Sequence, residues 1–278
     1  MSPIEAFISG CLQGITEFLP ISSSGHLVIL HSLFGINRPR VDFDILLHIA
    51  TIFSVIIFFR RDILKIFTNQ RDMILAILIG SIPTALIGLS LKGEFEMLFA
   101  KPRIVGFMFF ITAAILILAA LKEKFIIRIQ ENTSSVKTGM KTDNLLRERL
   151  ENKNSNRTPS FIKAFLIGIS QGVAIVPGIS RSGATISSGI LLGIESKEAV
   201  RFSFLLSIPA ILGASFLKVR GLAGLGNIHI IDASVGFLSA FIFGIISLRI
   251  LVRMVLKGKL HLFALYCILI GMFAVFRF

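Results

Sequence analysis

A chain of 278 residues that is 54% apolar and 16% charged, with a mean hydropathy of +0.84, is too apolar for a soluble globular domain, where about a quarter of residues carry charge. Its formal net charge of +13 would point to nucleic acid in a soluble protein, but in a membrane protein the same lysines and arginines sort by membrane side, and no nucleic-acid partner is expected. Cys11 and Cys267 sit in separate apolar segments with no ligand spacing around them, which argues against a disulfide frame or a metal cluster and leaves them as packing residues.

In chain order, the first element is an apolar stretch at 4–34, interrupted by Pro20 and the run Ser22-Ser23-Ser24-Gly25, a pattern that predicts paired half-helices in a re-entrant hairpin. Three apolar windows follow at 43–59, 72–91 and 103–121, each about the 20 residues needed to cross ~30 Å of hydrocarbon. Residues 122–160 are rich in Lys, Glu, Asn, Ser and Thr and read as a polar, partly disordered insertion without chemistry. A second interrupted stretch, 161–193, predicts another hairpin, and spans at 198–219, 231–251 and 260–277 complete the chain. The first basic residue is Arg38, so no basic leader region precedes the first apolar run and a cleaved signal peptide is not expected. The expected fold is an all-α polytopic membrane protein of six transmembrane helices and two re-entrant hairpins.

The chain repeats itself. Laying 6–25 over 164–183 matches Ala6, Phe7, Gly10, Gln13, Gly14, Ile21, Ser22, Ser24 and Gly25 to identical residues, and a one-residue shift continues the match from FDILLHIATI at 43–52 to FSFLLSIPAI at 202–211. Residues 1–121 and 161–278 are thus two halves, each one hairpin plus three spans. Three is odd, so the second half enters the membrane from the opposite side and the halves form an inverted-topology repeat. With the insertion on the cytoplasmic side, 20 basic residues fall inside and 8 outside, which places both termini outside.

The hairpins carry the candidate chemistry: Gln13, Glu17, Ser22, Ser23, Ser24, Gly25 and His26 in the first, and Pro177, Gly178, Ser180, Arg181, Ser182 and Thr185 in the second. In each, Pro or Gly ends one half-helix and a serine run caps the next, whose exposed N–H groups make an anion site. Arg181 adds a guanidinium suited to phosphate. Ser22, Ser24, Ser180 and Gly25 fit a hairpin turn as well as an anion site. Glu17 and Arg181 are harder to explain as packing, because an ionised group at membrane depth costs at least ~2.5–3.5 kcal/mol. His26 lies three residues after Ser23, one helical turn on, where it could take the hydroxyl proton. Gln13 and Glu17 share a helix face that could offer a divalent cation its ligands, although one carboxylate holds such an ion poorly. Asp42, Asp44 and His48 could line the mouth of the site, while Glu195, Lys197, Glu198 and Arg201 read as a solvated cap.

These two segments resemble the bacterial undecaprenyl-diphosphate phosphatases of the bacitracin-resistance type, whose signatures are Glu/Gln-x-x-x-Glu followed by a Ser-rich stretch with His, and PGxSRSxxT. Gln13 and Glu17 fill the first, Ser23 and His26 fall in the stretch after it, and Pro177, Gly178, Ser180, Arg181, Ser182 and Thr185 fill the second. The resemblance covers all but 122–160. It implies hydrolysis of undecaprenyl pyrophosphate to the monophosphate and phosphate, on the periplasmic or extracellular face of the plasma membrane, aided by Mg²⁺ or Ca²⁺. The residue reading gives Ser23 as nucleophile with His26 as base, Glu17 as cation ligand or proton relay and Arg181 as charge stabiliser, or direct attack by water. Ser22, Ser24, Gly25, Ser180, Ser182 and Thr185 would bind the substrate, with Gln13 and Glu17 holding the metal. A transporter or flippase for an anionic substrate is the rival, since inverted repeats with broken helices also build carriers. Expected partners are the lipid pyrophosphate and membrane lipid, and the oligomeric state, including a homodimer, stays open.

Overall fold

The computed structural model describes residues 2–34, 41–98, 101–136, 158–220 and 229–278. The helices, numbered in chain order, are α1 (Pro3–Phe18), α2 (Ser23–Phe34), α3 (Val41–Phe58), α4 (Arg60–Asn69), α5 (Arg71–Ser90), α6 (Lys92–Leu98), α7 (Pro102–Val136), α8 (Phe161–Val173), α9 (Arg181–Leu191), α10 (Ser196–Arg220), α11 (Ile230–Leu256) and α12 (Leu260–Arg277). No strand occurs among the described residues. Lipid leaves backbone polar groups no partner but one another, so an apolar chain of this kind must satisfy them within helices.

Five helices, α5, α7, α10, α11 and α12, are long and apolar enough to cross a membrane, and α3 with α4 makes a sixth candidate bent by 69°. The protein is therefore a polytopic helical membrane protein. The span expected at 43–59 ends where α3 does, and the helix α4 that follows was not among the expected elements. Helix α7 runs on to Val136, past the expected end of its span at residue 121, so the start of the expected insertion is helical. Residues 137–157 of that insertion lie outside the described residues.

At 1.5 Å per residue α1, α2, α8 and α9 are too short to cross ~30 Å alone. Their seating depends on glycine. α1 lies along α11, where a Cβ at Gly10 would stand 2.5 Å from the Gly236 carbonyl and one at Gly14 2.5 Å from that of Ala240. α8 lies along α5 in the same way, and a Cβ at Gly168 would stand 2.0 Å from the carbonyl of Gly80. Small residues let helices approach closely where lipid removes the hydrophobic drive.

The main core packs Phe18, Phe109, Phe204, Leu248 and Leu251 beneath the hairpin tips, with the Phe18 and Phe204 rings edge to face at 5.6 Å. One charged residue departs from expectation. Arg201 is buried rather than part of a solvated cap: the bend between α3 and α4 brings Asp62 to 3.1 Å and Gln70 to 2.6 Å of its guanidinium, with Glu198 at 3.2 Å. A buried guanidinium needs such partners.

Candidate active site

α1 stops at Phe18 because Pro20 follows, and the residue before a proline is pushed out of helical geometry; Leu19 is extended. Ser22 then takes a left-handed φ of 64°, a conformation costing a non-glycine residue ~1–2 kcal/mol. Its hydroxyl offsets part of that cost by accepting two N–H groups, from Gly25 at the head of α2 (3.3 Å) and from Gly178 in the other hairpin (3.1 Å). The second turn uses Gly178 at φ 96°, where a Cβ would stand 2.6 Å from both Met108 Cβ and the Val105 carbonyl. Ser180 caps α9 by accepting from the Gly183 N–H at 3.1 Å. Thr112 on α7 braces this turn, donating to the Gly178 carbonyl at 2.9 Å and accepting from the Ser180 N–H at 3.0 Å. A Cβ at Gly25 would come within 2.9 Å of Gly178 Cα, so the tips touch backbone to backbone.

Where the tips meet, one buried carboxylate gathers donors from both hairpins. Glu17, in the last turn of α1, is 6% exposed. Its Oε1 pairs with the Arg181 guanidinium. Its Oε2 accepts from Ser23 Oγ at 2.8 Å and from Gln13 Nε2 at 3.0 Å, with His48 Nε2 3.9 Å away. Ser23 and Arg181 are the first residues of α2 and α9, equivalent positions in the repeat, and each reaches the same carboxylate. Both helix N-termini, each carrying about half a positive charge, thus open onto a Ser–Glu–Arg cluster that would receive an anion. Arg181 has five N–H donors, so one bond to Glu17 leaves others for phosphate oxygens.

Of the residues expected at the site, Gln13, Glu17, Ser23 and Arg181 converge. The expected Ser23–His26 pair does not form. The His26 ring turns back to the Ser22 carbonyl at Nδ1 (2.7 Å) and out to the Tyr266 hydroxyl at Nε2 (2.7 Å), stacking on the Tyr266 ring with centroids 5.6 Å apart. A carbonyl only accepts, so Nδ1 carries the hydrogen, and in the neutral ring Nε2 accepts from Tyr266. Ser22, Gly25 and Ser180 hold the turns, and Ser24 lies 3.4 Å from the Ser22 hydroxyl. Ser182 donates to the Leu19 carbonyl at 3.3 Å and stitches the hairpins together. Thr185 donates to the Arg181 carbonyl at 2.8 Å and meets Ser203 at 2.5 Å, behind the guanidinium.

Three residues escaped the sequence. Ser203 and Ser207 line a small cavity with Glu17, Arg181 and Ser182, and the shifted repeat pairs them with Asp44 and His48 at the expected mouth of the site. Tyr266 had no such signal. For a divalent cation the described residues contain no group of three His, Cys, Asp or Glu, and the oxygens of Glu17 already take hydrogens from Arg181, Ser23 and Gln13. That donor set does not make an all-protein cation cage.

A family model described as bacitracin resistance protein BacA matches residues 6–273. Among similar proteins, the undecaprenyl-diphosphatase of Carboxydothermus hydrogenoformans is 38% identical over 276 residues, covering 98% of this chain and 95% of that protein. That of Desulfosudis oleivorans is 38% identical over 293 residues, covering 98% and 97%. That of Bacteroides fragilis is 36% identical over 289 residues, covering 99% and 98%.

Proposed function

Since this chain belongs to the bacitracin resistance protein BacA family, we propose that it is an integral membrane phosphatase hydrolysing undecaprenyl pyrophosphate to undecaprenyl phosphate and phosphate. One observation carries the reading beyond kinship: a hydroxyl and a guanidinium, each at the first turn of a half-helix, meet on one buried carboxylate. The relatives reported above are all diphosphatases, which favours hydrolysis over the carrier reading.

In this mechanism the pyrophosphate sits at the N-termini of α2 and α9, held by Arg181, which stabilises charge on the transferred phosphoryl. Ser23 Oγ attacks the terminal phosphorus, its proton passing to Glu17, while the bond to the bridging oxygen breaks and undecaprenyl phosphate leaves. Water then attacks the phosphoserine, phosphate departs, and Ser23 regains a proton. The 2.8 Å bond from Ser23 to Glu17 supports the carboxylate, rather than His26, as the first proton acceptor. His26 acts in this scheme as a strut that fixes Ser22 and the start of α2. Mg²⁺ or Ca²⁺ would neutralise phosphate charge, but with both Glu17 oxygens engaged by Arg181, Ser23 and Gln13 this scheme gives the cation no protein ligand.

The finer architecture belongs to the same proposal: α1–α2 and α8–α9 are re-entrant hairpins, the six candidate spans all cross, and the halves 1–121 and 161–278 are inverted repeats with the site open to the periplasmic or extracellular side. The exchange of partners supports it, since Gly10 and Gly14 of one half and Gly168 and Gly172 of the other are equivalent positions and each pair seats its helix against a span of the opposite half. Detergent-purified protein supplied with Mg²⁺ or Ca²⁺ should release phosphate from undecaprenyl pyrophosphate, and Ser23→Ala should lower the rate by roughly 10³-fold. Purified, monodisperse protein that releases none would end the phosphatase reading.

A further inference from the structure

A groove of about 430 Å³ runs between α1 and the α11–α12 pair. Leu12, Ile15 and Leu19 form one wall, and Met254, Leu262 and Phe263 the other. Ile15, Leu262 and Tyr266 are 36%, 43% and 40% exposed, so the groove opens sideways toward lipid. Its polar groups are few. The Thr16 hydroxyl is turned onto the Leu12 carbonyl of its own helix, which leaves the His26 ring and the Tyr266 hydroxyl, joined at 2.7 Å, as the polar end. Tyr266 is the one tyrosine in a chain with 26 phenylalanines. His26 in turn bonds the carbonyl of Ser22, the residue before the Ser23 that reaches Glu17. The polar end of the groove is therefore one hydrogen bond and one residue along the chain from the hydroxyl that reaches Glu17.

We propose that this groove seats the first isoprenoid units of the substrate's tail, and that Tyr266 with His26 marks the boundary between tail and headgroup. The proposal rests on the phosphatase reading above and adds to it the place and the residues that recognise the chain. The volume is that of a ligand site, and the mix of apolar walls with one polar end is what such sites have. A tail arriving from lipid gains little transfer energy here, because the walls are no more apolar than acyl chains. What the groove supplies is register: fixing the first units fixes where the phosphorus stands relative to Ser23, and a misplacement of ~1 Å can cost ~10²-fold in rate. Its signature is thus a dependence of kcat/KM on chain length.

Ile15→Trp and Leu262→Trp fill the groove from opposite walls at positions that already face lipid. Each is expected to lower kcat/KM for undecaprenyl pyrophosphate by roughly tenfold or more beyond any loss on isopentenyl pyrophosphate, whose five carbons ask little of the groove. Leu86→Trp, at a lipid-facing position of α5 outside the groove, should leave the long-chain rate unaltered. Equal losses on both substrates would overturn the proposal, and so would no loss on either, which would mean that ordinary bilayer lipid covers the groove. A second readout does not need turnover. The chain has no tryptophan, so in Ile15→Trp the indole reports from the groove alone, and undecaprenyl monophosphate should shift its emission where a phospholipid does not. If the unaltered chain hydrolyses neither pyrophosphate, the phosphatase reading fails, and the emission decides the groove by itself: a shift keeps it as a prenyl-chain site and no shift removes it.

Discussion

In the first hairpin the chain turns through Ser22 at φ 64°, and in the second through Gly178 at φ 96°; both then start a helix from a serine cap, at Ser22 and Ser180. The glycines that seat them, Gly10 with Gly168 and Gly14 with Gly172, are also equivalent. The repeat differs where the chemistry lies. Against Glu17 stands Ile175, against Ser23 stands Arg181, and against His26 stands Ala184. One hairpin brings the carboxylate and the hydroxyl, the other the fixed positive charge. The positions that match are those that seat and turn the helices, and the pairs Glu17 against Ile175 and Ser23 against Arg181 differ at the cluster itself.

The most damaging test of this division is at Glu17. Glu17→Gln keeps size and loses the proton acceptor, so kcat should fall by roughly 10³-fold, within the range for a general base, in protein that still elutes as a single species. Ser23→Ala should fall as far, and the double variant no further, because the two act as one unit. Losses that multiply in that cycle, read from phosphate release, would separate Ser23 from Glu17 and give the attack to water. The second hairpin's contribution is tested next. Arg181→Lys keeps the charge but loses the fork of donors that can hold Glu17 and phosphate together, and kcat should drop by roughly 10²-fold. Near-normal turnover would mean that only a point charge is needed there.

Smaller effects probe the supports. Tyr266→Phe removes one neutral hydrogen bond to His26, worth ~0.5–1.5 kcal/mol, and should lower kcat/KM about two- to tenfold. A loss as large as that of Arg181→Lys would promote Tyr266 into the chemistry. Smallest is the capping pair. Ser22→Ala strips a cap from α2 and also orphans the backbone N–H of Gly178 in the other hairpin, whereas Ser180→Ala strips the cap of α9 and a contact with the Ser182 hydroxyl within its own turn, so both should lose ~0.5–2 kcal/mol of stability with Ser22→Ala the worse of the two. Thermal unfolding in one detergent would show the order, and the reverse order would break the view that Ser22 ties the hairpins together.

What the sequence made legible follows from periodicity and cost. Spans announce themselves by about 20 apolar residues, and the hairpins by Pro20 and Gly178 with their serine runs. Glu17 and Arg181 stood out because charge inside an apolar stretch is expensive, and they do face one another. The partner of His26 was not legible, since Tyr266 lies 240 residues away and meets it only because α2 and α12 both pack against α7. Helical spacing suggested Ser23 instead, but the hydroxyl had a stronger acceptor in Glu17. Arg201 misled for a related reason: a span entrance looks solvated until a bend such as that at Phe59 folds α4 back over it.

The contact of Gly10 and Gly14 with α11 also bears on how the molecule is made. α1 finds its close-packed partner only after residues 236–244, more than 200 positions later in the chain, have been synthesised and inserted. Until then α1, too short to span the bilayer, has outside its own hairpin only its smaller contact with α3, where Ala6 clusters with Phe43, Leu47 and Ala50. The second hairpin meets no such delay, because α5, its neighbour, is already in place when α8 emerges. A nascent chain stalled before residue 230 should therefore hold the later hairpin seated and the earlier one loose, so that the half made first is the half completed last.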